Sequence, residues 1–255
     1  MFAFATLLLS NKNEMKYAEM IVVLYKSLKT KYKFIVLCPE NLKNKTKEFL
    51  IKYGLILHYI DIIETDYKVK WKRYQKEYEN WIHLCLTKLS VLTLTKYKKV
   101  LFLDSDMLAR KNIDNIFDKP TPSGILTAVD FPDNKLIPQD ILHQSLNAHD
   151  GYGISGSFML LKPSKRKYNE AVKNINKYLE IAKKINPGLD EIAFSLLYEN
   201  EWNSLSYLYS TKAYTPKLLK DAILIHYVAG KPFEKKNAIY DDVKEWIKKK
   251  NEYIT

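Results

Sequence analysis

Two aspartates one residue apart, Asp104 and Asp106, follow a short apolar run, Val100–Leu103. The run includes a β-branched and an aromatic side chain, which is typical of a strand buried on both faces of a parallel sheet. Two carboxylates this close repel each other unless one is protonated or a cation lies beside them. Hard divalent cations neutralise both charges at once. The spacing therefore indicates a metal site, although isolated strand-end aspartates more often cap a turn.

His226 is the third candidate ligand, because it follows another apolar run, Ala222–Ile225. If the two strands are neighbours, the imidazole joins the carboxylates at the carboxyl edge of the sheet, where open α/β folds bind their ligands. The set suits Mn²⁺, which accepts oxygen and imidazole, with Mg²⁺ as the alternative. Lys88 and Lys231 would place positive charge beside a diphosphate. For His226 the alternative is a hydrogen-bonded structural histidine. For Lys88 it is a side chain that extends to the solvent-exposed rim of its helix.

The first sixty residues predict strands that alternate with helices, and hence right-handed crossovers and a parallel sheet. The predicted strands are 2–9, 32–37, 55–60, 100–103, 124–129, 157–161 and 222–225, and the predicted helices are 15–29, 42–53, 81–94, 163–183, 189–198 and 241–250. Two stretches, 64–79 and 131–150, are expected to be long loops, with a solvated helix as an equal alternative for 64–79. Three of the seven glycines lie in the segment GYGISG at 151–156, which indicates either a close backbone approach or a plain turn.

Composition excludes several classes of protein. The 255 residues are 47% hydrophobic and 27% charged, as in soluble globular proteins, and no apolar run reaches the length of a membrane span. The apolar start MFAFATLLL is expected to be a buried strand rather than a signal peptide. Two cysteines without ligand or disulfide spacing fit a reducing, cytoplasmic location. The net charge of +12 suggests an anionic partner, but the chain has no nucleic-acid motif, no dinucleotide fingerprint and no P-loop.

The segment LTKLSVLTLTKYKKVLFLDSDMLARKNIDNIF, Leu86–Phe117, resembles the core of the glycogenin-like glycosyltransferases, family 8. The opening AFATLLLSN is similar to the family's uridine-binding first strand. Ile154-Ser155-Gly156 resembles its N-S-G segment, Leu189-Asp190-Glu191 its D-Q pair, and His226–Pro232 its H-x-x-G-x-x-K-P end. Ile154 stands where the family usually has Asn, and Glu191 where it has Gln. The spacing from His226 to Lys231-Pro232 is one residue shorter than the family's, and the loop after the first strand is about three residues longer.

The resemblance implies an α/β fold of the GT-A type. We expect one Rossmann-like domain over residues 1–255, with a mixed, mostly parallel central sheet flanked by helices. The implied activity is metal-dependent, retaining transfer of a hexose from a UDP-sugar to an acceptor hydroxyl. The acceptor would be a glycan, a protein or a small molecule, and a homodimer is expected. The alternatives are a nucleotide-sugar-binding protein without catalysis and a basic nucleic-acid-binding α/β domain.

The resemblance also implies roles for individual residues. Asp190 and Lys88 would be catalytic, with Asp190 the carboxylate beneath the anomeric carbon. The metal ligands would be Asp104, Asp106 and His226. The donor-binding residues would be Leu7, Ser10, Asn11 and Tyr17 for uracil and ribose, Gly230 and Lys231 for the diphosphate, and Asp130, Ser155, Gly156, Asp190 and Lys88 for the sugar, with Ser105 between the two metal-binding aspartates.

Overall fold

The computed structural model describes residues 1–68, 81–149, 151–184, 188–228 and 230–254, without the side chains of residues 217 and 218. Most of the predicted loop over 64–79 and part of the turn at 186–188 lie outside these residues. No helix in the described ranges combines the length and the apolar character that a membrane crossing requires.

The chain forms two compact units. One unit consists of Met1, Asp61–Val100 and Lys119–Leu205, and the other of Phe2–Ile60, Leu101–Asp118 and Ser206–Thr255. The chain therefore passes between the units several times. Each unit contributes a separate group of the residues that the sequence singled out.

Seven strands are hydrogen-bonded in the order β3-β2-β1-β4-β7-β6-β8. The pairs β1–β2, β2–β3 and β6–β8 are parallel, whereas β6 and β7 are antiparallel. This confirms the predicted mixed, mostly parallel sheet. The strands are β1 Phe2–Leu7, β2 Lys33–Cys38, β3 Ile56–Tyr59, β4 Lys99–Leu103, β5 Met107–Ala109, β6 Ser123–Leu126, β7 Ile154–Leu161, β8 Asn203–Ser204, β9 Thr211–Lys212 and β10 Leu224–His226.

Residues of the helix predicted over 81–94 form a 3₁₀ helix, Ile82–Thr93, and the short helix Pro216–Leu219 was not predicted. Three further differences concern the α-helices. The expected helix over 42–53 begins later, at Asn44, and Lys43 precedes it. The α-helices are α1 Glu14–Leu28, α2 Asn44–Lys52, α3 Gln139–Asn147, α4 Lys165–Lys173, α5 Ile175–Ala182, α6 Leu189–Leu197, α7 Pro216–Leu219 and α8 Asp241–Tyr253; 3₁₀ helices span Ile82–Thr93, Asp114–Asp118, Tyr207–Ser210 and Lys235–Asn237.

The other two differences have local causes. Helix α3 lies inside the stretch 131–150 that was predicted to be irregular, and the apolar face that buries Leu142 and Leu146 is too short to stand out as a periodic pattern. The single helix predicted over 163–183 is two helices. The N–H of Asn174 bonds to both Glu170 O and Ala171 O, and its side-chain amide also donates to Glu170 O, so the chain turns there.

A second sheet of three strands has the order β5-β10-β9. Strand β10 is antiparallel to β5, with His226 opposite Met107, and parallel to β9. The strands before Asp104 and before His226 are therefore not neighbours in one sheet, in contrast to the arrangement considered from the sequence. Strand β10 pairs with the segment that follows Asp106 rather than with the strand that precedes Asp104.

The unit that contains Asp104 has a core in which α8 packs against α1. Trp246 of α8 is 1% exposed and belongs to a cluster with Met20 and Val23 of α1 and with Ile225 and Tyr227. Because Ile225 and Tyr227 flank His226, this packing supports the backbone that carries the histidine.

Replacing Trp246 with Ala should lower the free energy of unfolding by about 3–5 kcal/mol, because a large buried side chain is lost and a cavity remains. Urea denaturation followed by circular dichroism measures this change. Lys244→Ala on the same helix, where the side chain is 60% exposed, should change stability by less than about 0.5 kcal/mol. Equal effects of the two substitutions would contradict the prediction.

Candidate functional site

Asp104, Asp106 and His226 each offer a ligand atom, and these three atoms all lie within 4.8 Å of one another. His226 Nε2 is 3.3 Å from Asp106 Oδ1 and 3.8 Å from Asp104 Oδ2. Ligands that share one cation lie within about 4–5 Å of one another, which is twice a usual metal–ligand bond. Two carboxylates and one imidazole thus fit a divalent cation that accepts both oxygen and nitrogen.

The backbone brings the three side chains together through the small sheet. The chain leaves β4 at Leu103, turns through the two aspartates and enters β5 at Met107. The N–H of Tyr227 donates to Asp106 O over 2.9 Å, which fixes the neighbouring His226 beside the turn. His226 Nδ1 lies 3.3 Å from Ser210 Oγ, so a second hydrogen bond orients the ring with Nε2 toward the carboxylates.

Lys231 is a fourth charged member of this group. Its Nζ contacts Asp106 Oδ2 and also donates to Tyr227 O over 3.1 Å. Burial would raise the pKa of Asp106, but the charges of Lys231 and His226 outweigh burial and hold that pKa well below its usual range. Asp106 is therefore an ionised carboxylate although it is only 7% exposed.

Two side chains that sequence reasoning did not single out hold the segment that contains Gly230 and Lys231. Tyr214 donates from its hydroxyl to Gly230 O over 2.8 Å, and Asn237 Nδ2 donates to Lys231 O over 3.0 Å. Tyr214 has a φ of 64°, a conformation that is uncommon for a bulky residue. Its N–H donates to Asp242 Oδ2 over 3.2 Å, so hydrogen bonds hold Tyr214 at its backbone N–H and at its side-chain hydroxyl.

The residues expected to contact a nucleoside follow β1 in the same unit. Ser10 Oγ donates to Glu14 Oε2 over 3.0 Å, and the Asn11 side chain donates to Leu9 O over 3.2 Å. Tyr17 packs edge-on against Phe233, with ring centroids 5.7 Å apart, and burial raises the pKa of its hydroxyl. Leu7, the last residue of β1, is partly buried.

Glu14 is a buried carboxylate that the sequence pattern did not single out. It is 1% exposed, and its second oxygen, Oε1, accepts the N–H of Lys43 over 3.1 Å. It therefore links the segment after β1 with the segment before α2. A polar residue at the start of a helix gives no sequence signal that separates this role from ordinary helix-end charge.

The other unit contains a buried ion pair. Lys88 Nζ lies 2.7 Å from Asp190 Oδ2, and the two residues are 8% and 2% exposed. Lys88 Nζ also lies 3.3 Å from Gly156 O, which accepts a hydrogen bond from it. Lys88 thus lies inside its unit and not at a solvent-exposed rim. Asp190 lies in the first turn of α6, so helix-end charge and this ion pair both favour its ionised form.

Glycines create the space around this pair. A Cβ atom at Gly156 would lie 2.6 Å from Asp190 Oδ2 and 3.3 Å from both Lys88 Nζ and Glu191 Oε1, and a Cβ at Gly188 would lie 2.5 Å from Glu191 Oε2. Cβ atoms at residues 151 and 153 would also collide with their neighbours. The close backbone approach predicted for GYGISG is therefore confirmed.

Two carboxylates share the single ammonium of Lys88 in this cluster. Burial would raise the pKa of Asp190, but the charge of Lys88 and hydrogen bonds from Lys88 and Glu191 lower it. Burial and the nearby charge of Asp190 raise the pKa of Glu191 well above its usual range. The proton therefore resides on Glu191, and Asp190 is the ionised partner of Lys88.

The remaining predicted residues lie outside these two groups of contacts. Ser105 is partly buried in the turn between the two aspartates, and Asp130 is exposed beyond the end of β6. Ser155 Oγ lies 2.8 Å from Ser157 Oγ. Ile154 is fully buried, and its N–H donates to Ser195 Oγ over 2.8 Å, so this side chain packs in the core of its unit.

The mixed α/β fold, with a D-x-D turn and a histidine that meets it, is that of a GT-A glycosyltransferase. The sequence model of glycosyl transferase family 8 matches residues 5–236. The chain belongs to glycosyltransferase family 8.

Known relatives and structures agree with this assignment. The chain is 31% identical to uncharacterized protein R707 of Acanthamoeba polyphaga mimivirus over 210 residues, which cover 82% of this chain and 71% of the relative. It is 30% identical to galactinol synthase 5 of Arabidopsis thaliana over 135 residues, or 50% of this chain and 36% of the synthase. The galactosyltransferase LgtC, solved with donor and acceptor sugar analogues, has a similar fold, with a TM-score of 0.69, 14% identity, and coverage of 99% of this chain and 96% of LgtC.

Glu191→Gln should stabilise the protein more at pH 8 than at pH 5. Above the ordinary pKa of 4.5 the unfolded chain ionises Glu191 whereas the folded chain keeps the proton. A rising pH therefore favours unfolding of the wild type by about 1.4 kcal/mol per pH unit, up to the raised pKa. Gln carries no titrating proton, so the variant does not lose stability in this way as the pH rises.

Urea denaturation at several pH values measures the difference between variant and wild type. Glu180→Gln, at a side chain that is 65% exposed, is the control and should show no such trend. A stability difference for Glu191→Gln that stays constant from pH 5 to pH 8 would show that Glu191 is already ionised in the folded chain.

Proposed function

We propose that this protein is a metal-dependent, retaining hexosyltransferase that uses a UDP-sugar donor. The observation that carries the proposal is the convergence of Asp104, Asp106 and His226 within 4.8 Å. A donor set of two carboxylates and one imidazole suits Mn²⁺, or Mg²⁺ as the alternative. Membership of family 8 supports a nucleotide-sugar donor and an acceptor.

The three ligands would hold the metal, whose chemistry is to neutralise negative charge on a departing diphosphate. The residues of the chain are arranged to support this task. Ser210 orients the His226 ring, and Lys231 keeps Asp106 ionised. The ammonium of Lys231 is a second positive charge for the diphosphate, beside Gly230, whose carbonyl is bound by Tyr214.

Asp190 is proposed as the carboxylate that stabilises positive charge at the anomeric carbon. Its buried pairing with Lys88 keeps it ionised, and the neutral Glu191 adds no competing charge. In the transfer, the bond from the anomeric carbon to the diphosphate oxygen breaks and a bond to the acceptor oxygen forms. The proton of the acceptor hydroxyl leaves with UDP, so atoms and charge balance.

The other roles follow the family resemblance. Leu7, Ser10, Asn11 and Tyr17 would bind uracil and ribose, and Asp130, Ser155 and Gly156 would line the sugar. The proposal treats residues 1–255 as one catalytic domain with a glycan, a protein or a small molecule as acceptor. A homodimer and a cytoplasmic location stay predictions. A nucleotide-sugar-binding protein without catalysis would retain the metal group but release no UDP.

Asp106→Asn should reduce Mn²⁺-dependent release of UDP from the preferred UDP-sugar by about 100-fold or more, because a charged ligand is lost. A panel of UDP-sugars is assayed with Mn²⁺ and with EDTA, and NMR of the product reports the anomeric configuration. Asp241→Asn, at a side chain that is 97% exposed, is the matched control and should match the wild type. Metal-independent release, or full activity of Asp106→Asn, would refute the proposed metal site.

Asp190→Asn should lower kcat by about 100-fold or more and leave the Kd of UDP with Mn²⁺ unchanged. The physical reason is that Asp190 is proposed to act on the sugar and not on the nucleotide. Calorimetry gives the Kd, and the UDP-release assay gives kcat. A variant with full kcat, or one whose loss of activity comes with weakened UDP binding, would remove Asp190 from the proposed role.

A further inference from the structure

Both oxygens of Asp106 already face a nitrogen of the protein. Oδ1 lies 3.3 Å from His226 Nε2, and Oδ2 accepts a hydrogen bond from Lys231 Nζ. The Lys231 side chain is 20% exposed and the Asp106 side chain 10%, so little water weakens this pair. The side chain of Lys231 therefore occupies one of the oxygens that a cation at this site would use.

The backbone around Lys231 is anchored independently of its ammonium. Asn237 binds the Lys231 carbonyl, and Tyr214 binds the preceding carbonyl, that of Gly230. The ammonium itself makes two contacts, to Asp106 and to Tyr227 O. The lysine side chain has rotatable methylene groups, so Nζ can change partners while the backbone of this segment stays in place.

A divalent cation and the Lys231 ammonium have the same sign of charge and the same carboxylate partner. Binding of the cation at Asp106 must either displace the ammonium or tolerate its repulsion, and each lowers the affinity for the cation. A diphosphate offers the ammonium another anionic partner. Any ligand that draws Lys231 away from Asp106 restores the affinity of the site for the cation.

We propose that Lys231 is a built-in competitor for the metal site and couples metal binding to diphosphate binding. Without nucleotide, Lys231 holds Asp106 and weakens the binding of Mn²⁺. With UDP, the ammonium pairs with the diphosphate, and Asp106 is released to the metal. The coupling is reciprocal, because each ligand strengthens the other by the same factor. The part of the inference that concerns the nucleotide rests on the proposed function. The competition between Lys231 and the metal does not depend on it.

The first experiment measures Mn²⁺ affinity without nucleotide, by electron paramagnetic resonance of the free ion. Lys231→Gln and Lys231→Met should each bind Mn²⁺ at least about fivefold more tightly than the wild type, the lower end of ordinary coupling factors. Lys236→Gln is the matched control, since it removes the same charge from a side chain that is 78% exposed and pairs with Glu234. It should leave Mn²⁺ affinity unchanged.

The second experiment repeats the titrations with saturating UDP. UDP should tighten Mn²⁺ binding to the wild type by a larger factor than in either neutral variant, while Lys231→Arg, which keeps the charge, should behave more like the wild type. Circular dichroism checks that each variant is folded, and either neutral variant suffices for the test.

The outcomes separate this inference from the proposed function. Unchanged or weaker Mn²⁺ binding by the neutral variants would overturn the competition while the metal site itself stands. No Mn²⁺ binding by any of the proteins would overturn the metal site, and the inference with it. Tighter Mn²⁺ binding by the neutral variants without any effect of UDP would support the competition and contradict the nucleotide donor.

Discussion

The electrostatic repulsion between Asp104 and Asp106 is the constraint on which the arrangement of Asp104, Asp106 and His226 depends. Two carboxylates at the end of a buried strand require positive charge nearby, or one of them must take up a proton. The chain meets this requirement with the ammonium of Lys231, which pairs with Asp106, while the His226 ring lies beside both carboxylates. The small sheet, the Ser210 contact and the bonds from Tyr214 and Asn237 hold Lys231 and His226 in these positions.

The same physical problem has a different solution in the other unit. Asp190 and Glu191 share one ammonium, that of Lys88, so the charges balance only when one carboxyl group keeps its proton. Gly156 and Gly188 let the three groups come this close, because a Cβ at residue 156 would collide with Asp190 and one at residue 188 with Glu191. Each unit thus keeps one carboxylate ionised beside a lysine, because pairing with the ammonium outweighs the effect of burial.

The assignment to family 8 applies to both groups of residues. At two positions this chain carries a different residue from the one that the family usually has. Glu191 replaces the usual Gln and, when protonated, can still donate a hydrogen bond as an amide does. Ile154 replaces the usual Asn and is fully buried, and its backbone N–H donates to Ser195 Oγ. The first departure preserves the capacity to donate a hydrogen bond as long as Glu191 keeps its proton, whereas the second replaces a polar side chain by one that packs in the core.

The sequence by itself determined the alternating elements, the buried strand before Asp104 and the family, because apolar runs and the D-x-D block are local patterns. It also named the candidate metal ligands and Lys88. Only the tertiary structure decided that His226 meets the aspartates through β5, that Lys231 binds Asp106, and that Glu191 holds a proton beside Asp190. Strand pairing, burial and charge balance depend on residues far apart in the chain, and no local pattern encodes those distances.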